Sequence, residues 1–212
     1  MDRRPNAAIA AAMLDGVRAL GLSALPWTAA ARSLRARIEF LQALDGENSS
    51  WPDVSDANLE RGLGDWLGHY LNGVRNRAAL ARLDLARILT GRLDHRQRQR
   101  LDAEAPVALD VPSGRTRALD YGAPDGPVLA VKLQEMFGLA ETPRVANGRV
   151  PVLLHLLSPA GRPMQVTRDL ASFWRTGYAD VKRELKGRYP RHPWPDDPAT
   201  ATPTAGVRRR TR

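Results

Sequence analysis

The sequence has no cysteine, few lysines and no long apolar run. Without cysteine, disulfides and thiolate metal sites are excluded. No apolar stretch approaches the roughly 18 to 20 residues that span a bilayer, and Asp15 and Arg18 interrupt the apolar residues near the N-terminus, unlike in a signal peptide. The four histidines fall in separate segments without ligand spacing. We therefore expect a cytoplasmic globular protein with no membrane segment and no metal site.

Sequence motifs of common catalytic sites are also missing. There is no GxxxxGK[ST] loop to cradle a triphosphate and no DEAH-type acidic box to hold magnesium. Neither a GxSxG elbow nor an HExxH helix occurs. These absences argue against catalysis by this chain alone, so we expect no catalytic residue and no cofactor in it.

Positive charge is abundant and unevenly distributed. The 212 residues carry 32 Lys and Arg against 23 Asp and Glu, a net charge of +9. Residues 1–104 hold 15 basic against 13 acidic side chains (+2), whereas residues 105–212 hold 17 against 10 (+7). Four of the arginines lie in the tail, at positions 208, 209, 210 and 212. A clustered positive surface favours phosphate backbones, although solvated arginines are an alternative explanation.

Apolar periodicity predicts an α+β chain that begins with a helical array over residues 1–104. Helices are expected over residues 6–20, from Thr28 or Pro26 to residue 44, over 55–71 starting at a Ser55 cap, and over 76–89 starting at Asn76. Trp66 and Tyr70 are expected as core anchors. Arg32, Arg35 and Arg37 form either a phosphate-facing ridge or, as we favour, a solvated helix face.

After residue 105 the period changes to that of strands. Residues 107–111 and 115–121 predict a hairpin, and residues 128–131, 150–157 and 164–166 predict further strands. Several short strands with Gly/Pro turns suggest a small β-rich domain over residues 105–198, an oligonucleotide-binding barrel being one form it could take. Thr167 or Asp169 could cap a following helix, and residues 178–188 predict a basic one. Residues 199–212 are expected to be a disordered basic tail.

Cations and aromatics in this second half suggest nucleic-acid contacts. After the basic helix, the extended segment RYPRHPWP interleaves both residue types and could clamp a strand by stacking and charge, or could pin the terminus to the domain. The predicted contacts are Arg115, Arg117, Arg144, Arg149, Lys182, Arg183, Arg188, Tyr189, Arg191 and Trp194.

Long stretches of the sequence resemble a known family. The wording LAVKLQEMFG, ETPR, GRVPVLLHLLSPAGRP and QVTRDLASFW, followed by YADVKRELKGRYPRHPWPDDP, is similar to the C-terminal domain of HrpB-type bacterial DEAH-box ATP-dependent helicases. Residues 27–44 and 51–89 resemble the region just before that domain. The resemblance covers nearly the whole chain except its last dozen or so residues, and it does not include the motor.

The resemblance implies an accessory role. In that family an ATP-driven motor remodels RNA or other nucleic acid, and ATP and magnesium bind to RecA-like motor domains in the same chain. We therefore expect a nucleic-acid-guiding region that binds single-stranded RNA without ATPase activity of its own. The alternative is a protein-interaction module that docks the motor or another partner through apolar anchors such as Trp27, Trp51 or Trp194.

Overall fold

The structure is a computed structural model that describes residues 4–206. The chain divides into a helical unit, Met1–Asp102, and a β-containing unit, Ala103–Arg212. Residues 199–206, the first part of the tail that was expected to be disordered, are described and make defined contacts, such as the hydrogen bond from the Thr204 amide to the Gln134 carbonyl at 2.9 Å. The rest of that tail, from residue 207 onward, lies outside the described residues. Within residues 4–206 no helix is long and apolar enough to cross a membrane. The predicted α+β class, with helices first and a β region followed by helices, is confirmed.

Seven α-helices begin in the helical unit. They are α1 (Arg4–Leu20), α2 (Ala29–Asp45), α3 (Asp56–Arg61), α4 (Leu63–Leu67), α5 (Arg77–Leu80), α6 (Leu85–Thr90) and α7 (His95–Glu104). Short 3-10 turns occupy Leu22–Ala24, Gly46–Asn48 and Gly68–Leu71. The core is almost entirely aliphatic, with fully buried side chains that include Ile38, Leu41, Leu59, Leu67 and Leu89.

Side-chain caps begin these helices where the sequence indicates. Thr28 accepts a hydrogen bond from the Ala31 amide at the start of α2, and Ser55 accepts one from the Asn58 amide at the start of α3. Asn76 does the same for α5. Such caps satisfy amides that have no partner within the helix. The predicted helix starts are therefore confirmed at these three positions.

The predicted helix over residues 55–71 is wrong as a single element. It breaks at Gly62, whose backbone (φ −91°, ψ 18°) leaves helical geometry, and continues as α4 and a 3-10 turn. Glycine disfavours helix interiors, and this segment holds three of them. The predicted helix over residues 76–89 is likewise two helices, because Asp84 caps α6 anew.

Two predictions for side chains of the helical unit also need correction. Trp66 is a core anchor whose indole Nε1 donates to the Leu59 carbonyl at 2.9 Å, but Tyr70 is 44% exposed. Arg37 is buried, not solvated: its guanidinium donates to the Leu101 carbonyl at 3.1 Å and to Asp102 at 2.9 Å. The expected ridge on α2 is thus not a uniform solvated face.

The β-containing unit is built on a mixed five-stranded sheet in the order β1-β2-β3-β6-β7. Its strands are β1 (Ala108–Asp110), β2 (Thr116–Asp120), β3 (Val128–Lys132), β6 (Leu153–Leu157) and β7 (Pro163–Thr167), and β4 (Arg144–Val145) and β5 (Val150–Pro151) form a separate hairpin. The predicted β1–β2 hairpin is confirmed. Strands β3 and β6 are parallel, and the other neighbours in the sheet are antiparallel.

The sheet stays open among the described residues, because β1 and β7 are edges that do not pair with each other. It therefore does not close into the barrel that was one expected form. A 3-10 turn, Leu133–Glu135, follows β3, and Gly138 ends this segment at φ 83°. Met136 and Phe137 just before that glycine are fully buried.

Two helices follow the sheet, α8 (Leu170–Thr176) and α9 (Tyr178–Arg188). Asp169 caps α8 by accepting from the Ser172 amide, which decides between the two predicted caps. Aromatic rings join the helices to the segment after β3: Phe137, Phe173, Trp174 and Tyr178 form a cluster with centroid separations of 5.2 to 6.1 Å. The cluster fixes the base from which α9 runs.

Candidate nucleic-acid interface

Helix α9 presents the basic face that its sequence predicts. Leu185 is 1% exposed and turns inward, while Arg183, Lys186 and Arg188 are exposed. Amphipathic spacing of three and four residues separates the two faces. The helix bounds, Tyr178–Arg188, agree with the predicted ones. This part of the expected interface is therefore a regular, preformed surface.

The proline-rich segment after α9 folds back on itself. The Tyr189 carbonyl accepts two hydrogen bonds, from the His192 amide at 3.1 Å and from the Trp194 indole Nε1 at 3.0 Å. The rings of Tyr189 and His192 meet edge to face at 6.2 Å. Prolines at 190, 193 and 195 add backbone stiffness. The segment is thus an ordered non-helical turn.

Lys182 ties this segment back to α9. Its Nζ donates to the Pro195 carbonyl at 3.0 Å and to Asp196 at 2.5 Å. The same carbonyl accepts from the Tyr178 hydroxyl at 3.0 Å. The hydrogen bond from Lys182 lowers the pKa of Asp196, and burial raises the pKa of Tyr178. Lys182 therefore anchors the segment, and its charge is already offset by Asp196.

A groove of about 610 Å³ lies between α9 and the segment, and we call it the basic groove. It is lined by Ala179, Lys182, Arg183, Lys186, Gly187, Pro190, His192 and Trp194. Among residues 4–206 Arg183 pairs only with the exposed Asp180, at 2.9 Å, and an exposed pair of this kind contributes little to stability. Burial, and then the nearby charge of Lys132, lowers the pKa of His192, which favours its neutral form. Arg183 and Lys186 are the cations this groove offers to an anion.

Arg188 and Arg191 flank this region and are exposed. Within residues 4–206 neither side chain has an ion pair or hydrogen bond of its own. Arg115 is exposed as well, at the turn that opens β2. These three predicted contacts remain available to phosphates.

The other three predicted arginines have structural partners. Arg117 makes a two-pronged ion pair with Glu135, at 2.7 and 2.5 Å, and this carboxylate is fully buried. The hydrogen bonds with Glu135 raise the pKa of Arg117. Arg117 therefore neutralises a buried charge and does not share one free cationic face with Arg115.

The β4–β5 hairpin engages Arg144 and Arg149. Arg144 donates to the carbonyls of Gly148 and Arg149, at 2.5 and 3.3 Å. Arg149 donates to the Ala146 carbonyl at 3.1 Å and to Glu104 at 2.9 Å, and Glu104 is buried. These two arginines stabilise the hairpin, although part of each side chain reaches solvent.

Sequence reasoning named Lys182, Arg183, Arg188 and Trp194 but left out Lys186 and His192 as contacts. Lys186 lies four residues after Lys182, so helical spacing could have placed both on one face. His192 offered no comparable signal, since its position depends on the turn at Tyr189.

The chain belongs to a family of helicase C-terminal regions. The HrpB_C family, described as "ATP-dependent helicase C-terminal", matches residues 66–198. A similar protein is the "ATP-dependent RNA helicase HrpB" of Escherichia coli (strain K12), 48% identical over 197 residues, which are 91% of this chain and 24% of that protein. The resemblance stated from the sequence is thereby confirmed.

Solved structures agree with this assignment. The chain is similar to a crystal structure of the E. coli DExH-box NTPase HrpB, with a TM-score of 0.83, 47% identity and coverage of 93% of this chain and 24% of that one. A second structure, of the Escherichia coli DEAH/RHA helicase HrpB, gives a TM-score of 0.71, 44% identity and coverage of 88% and 23%. The chain thus spans about a quarter of the length of the relatives it matches.

Proposed function

We propose that this chain is the nucleic-acid-guiding accessory region of an HrpB-type ATP-dependent RNA helicase, and that it binds single-stranded RNA through its β-containing unit. In this proposal RecA-like motor domains of the same polypeptide bind ATP and magnesium and supply the ATPase activity. The support is membership of the helicase family and the name of the E. coli relative, an RNA helicase. A bacterial helicase acting on RNA would work in the cytoplasm.

The observation that carries the proposal is the basic groove. It sets Arg183 and Lys186 on one wall and the half-buried Trp194 on the other. Cations that follow a phosphate backbone, combined with an aromatic ring that can stack on bases, are typical of proteins that bind single strands without sequence preference. Arg188 and Arg191 extend the positive surface beyond the groove.

The ion pairs and hydrogen bonds described above reduce the set of side chains that we propose as RNA contacts. Arg183, Lys186, Arg188 and Arg191 are proposed to contact phosphates, with Trp194 and Tyr189 as the aromatic contacts. Arg115 is a separate, more distant candidate. Four other side chains remain predicted contacts, but we rank them lower because they already have partners within the protein: Arg117, Arg144, Arg149 and Lys182.

The test is fluorescence anisotropy of a labelled single-stranded RNA across a salt series, with the full chain. A single-strand phosphate contact contributes about 0.7 to the slope of log affinity against log salt. Replacing Arg183 and Lys186 together by Gln is expected to flatten that slope by about 1.4 and to weaken binding similarly for all sequences. A second pair, Arg188→Gln with Arg191→Gln, is expected to do the same.

A matched control removes two charges elsewhere. Arg61→Gln with Arg162→Gln lowers the net charge equally, and neither residue lines the basic groove. If the control weakens binding as much as the groove variants do, only overall charge attracts RNA and the proposed interface is wrong. Absence of RNA binding by the unmodified chain would also refute the proposal.

One observation favours the protein-interaction alternative. The helical unit has an apolar groove of about 490 Å³, lined by Met13, Gly16, Val17, Leu20, Ser23, Ala24, Arg77 and Leu80, and Leu20 is 69% exposed. Trp27 and Trp51, two of the three anchors expected from sequence, are engaged internally: their indoles donate to the Leu22 carbonyl and to Asp45. The exposed Leu20 is therefore the anchor that we propose for this groove.

This alternative predicts that Leu20→Asp weakens binding to the motor portion of the E. coli HrpB relative by at least about tenfold, because one large buried apolar side chain contributes about 1.5–3 kcal/mol. RNA affinity should stay the same in that variant. Isothermal titration calorimetry with the motor portion measures the first quantity. Unchanged motor binding would rule out this groove as the docking surface.

A further inference from the structure

A second groove also includes Trp194 in its lining, and we call it the neutral groove. It measures about 520 Å³ and is lined by Pro193, Trp194 and Pro195 from the segment after α9 and by Ala201, Thr202, Pro203 and Thr204 from the end of the described chain. Trp194 lines this groove and the basic groove alike. Trp194 is therefore a residue that the two grooves share.

The two grooves differ in chemistry. Among the described residues, those that line the neutral groove carry no ionisable side chain, whereas Lys182, Arg183, Lys186 and His192 line the basic one. The indole N–H of Trp194 is already used on the Tyr189 carbonyl, so toward the neutral groove the ring offers apolar surface. Thr202 is exposed at the groove, and its hydroxyl has no hydrogen bond to any residue in 4–206. The space suits a flat, neutral ring with polar edges.

The walls of the neutral groove are held in place. Tyr178 and Lys182 fix the Pro195 carbonyl, and the Gly138 amide donates to the Pro198 carbonyl at 3.0 Å. Further along, the Thr204 amide donates to the Gln134 carbonyl at 2.9 Å. Three prolines at 193, 195 and 203 limit the backbone further. Because the groove is preformed, a ligand entering it pays little to order its walls.

We propose that the neutral groove binds one nucleobase of the strand whose phosphates lie in the basic groove, with Trp194 as the shared wall. A nucleotide joins an anionic phosphate to a neutral aromatic ring, and the adjacent grooves offer the matching pair of environments. This inference rests on the proposed function and adds a base-binding site to it. It predicts that single strands bind better than duplexes, whose bases are already stacked and paired.

The experiment compares two probes of equal length and charge in the full chain. One is oligouridylate, and the other is the same ribose-phosphate strand with abasic sites. Base–aromatic stacking is sequence-tolerant and gives a sizeable gain per base, so the chain is expected to bind the base-bearing strand on the order of tenfold more tightly. Both probes should show salt-dependent binding, because both carry the phosphates.

Three variants separate the two grooves. Trp194→Leu removes the ring but keeps apolar volume, and Thr202→Leu fills the neutral groove from an exposed position without adding charge or an aromatic face. Each is expected to abolish the preference for the base-bearing strand, and Thr202→Leu, at a position that does not line the basic groove, is expected to change abasic binding by less than about twofold. Lys186→Gln is expected to weaken both probes by the same factor. A 5-iodouridine strand should crosslink to peptides containing residues 193–204.

The outcomes distinguish the two proposals. If the unmodified chain binds both probes equally and with salt dependence, phosphate binding stands and the base site is refuted. If it binds neither, the proposed function itself fails. If Trp194→Leu and Thr202→Leu leave the base preference intact, the base binds elsewhere and the proposed base site is refuted. If the chain does not distinguish the base-bearing strand from the abasic one and binds a polyproline peptide tightly, the neutral groove binds a peptide and the base site is refuted.

Discussion

The ion pair between Arg117 and Glu135 offers the sharpest test of how this structure is stabilised. Glu135 lies in the turn after β3 and is fully buried, whereas Arg117 on β2 has a side chain that is 30% exposed. Replacing Arg117 by Met keeps the apolar stem and removes the cation. The carboxylate is then left fully buried, without the one basic side chain that pairs with it among residues 4–206.

The difference in burial between the two side chains determines how much stability each variant is expected to lose. Removing one partner of a buried pair costs about 3–5 kcal/mol, because the remaining charge stays desolvated. We expect a value near the lower end, about 3 kcal/mol, because solvent reaches part of the pair through Arg117. Glu135→Gln should cost only about 1–2 kcal/mol, since the arginine left behind is close to water and the amide retains one acceptor. Replacing both residues by Met should recover most of the loss.

Native-state amide hydrogen exchange of β3 and β6 measures these differences within the β-containing unit. A loss of about 3 kcal/mol corresponds to exchange faster by on the order of 100-fold, where opening of the whole unit controls it. The reasoning would be refuted if Arg117→Met and Glu135→Gln accelerated exchange equally, or if the double variant were less stable than Arg117→Met. Either result would mean that desolvation of Glu135 is not what the pair offsets.

Two further predictions concern the surroundings of the grooves. Gly138 has φ 83°, and a Cβ there would lie 3.0 Å from the Ala201 carbonyl oxygen, whereas Gly161 has φ 82° and open space. Gly161→Ala should therefore lower the free energy of unfolding by about 1–2 kcal/mol, for backbone strain alone. Gly138→Ala should lower it by at least about 1 kcal/mol more and should also speed amide exchange at Thr204. Equal losses for the two variants in urea unfolding would contradict the close contact. The lowered pKa of His192 means that the folded state resists protonation, so its contribution to stability is complete above the unfolded pKa of about 6.5 and is lost as pH falls through the lower folded value. Thermal melts from pH 7.5 to 5 should show a steeper loss for the unmodified chain than for His192→Gln, and parallel curves would refute the assignment.

Local features of this chain were readable from its sequence because they depend on neighbours within one turn. The caps at Thr28, Ser55 and Asn76, the β1–β2 hairpin and the bounds of α9 all follow from short-range hydrogen bonds and apolar periodicity. The prediction failed at Gly62, because the apolar residues keep their helical spacing through this position while the backbone leaves helical geometry. Family membership was also readable, since it depends on the order of residues alone.

The partners of the charged residues could not be read in this way. Arg117 and Glu135 are 18 positions apart, and Arg149 and Glu104 are 45 apart, so the sequence shows these arginines as free cations. Only tertiary folding buries the carboxylates and uses the arginines to neutralise them. The same holds for the two grooves, because Trp194 lines both only when the segment after α9 folds back and residues 201–204 lie beside it. The sequence thus determined the family, the element types and the positive charge, while the tertiary structure decided which cations remain available to a ligand, because desolvation and pairing depend on residues distant along the chain.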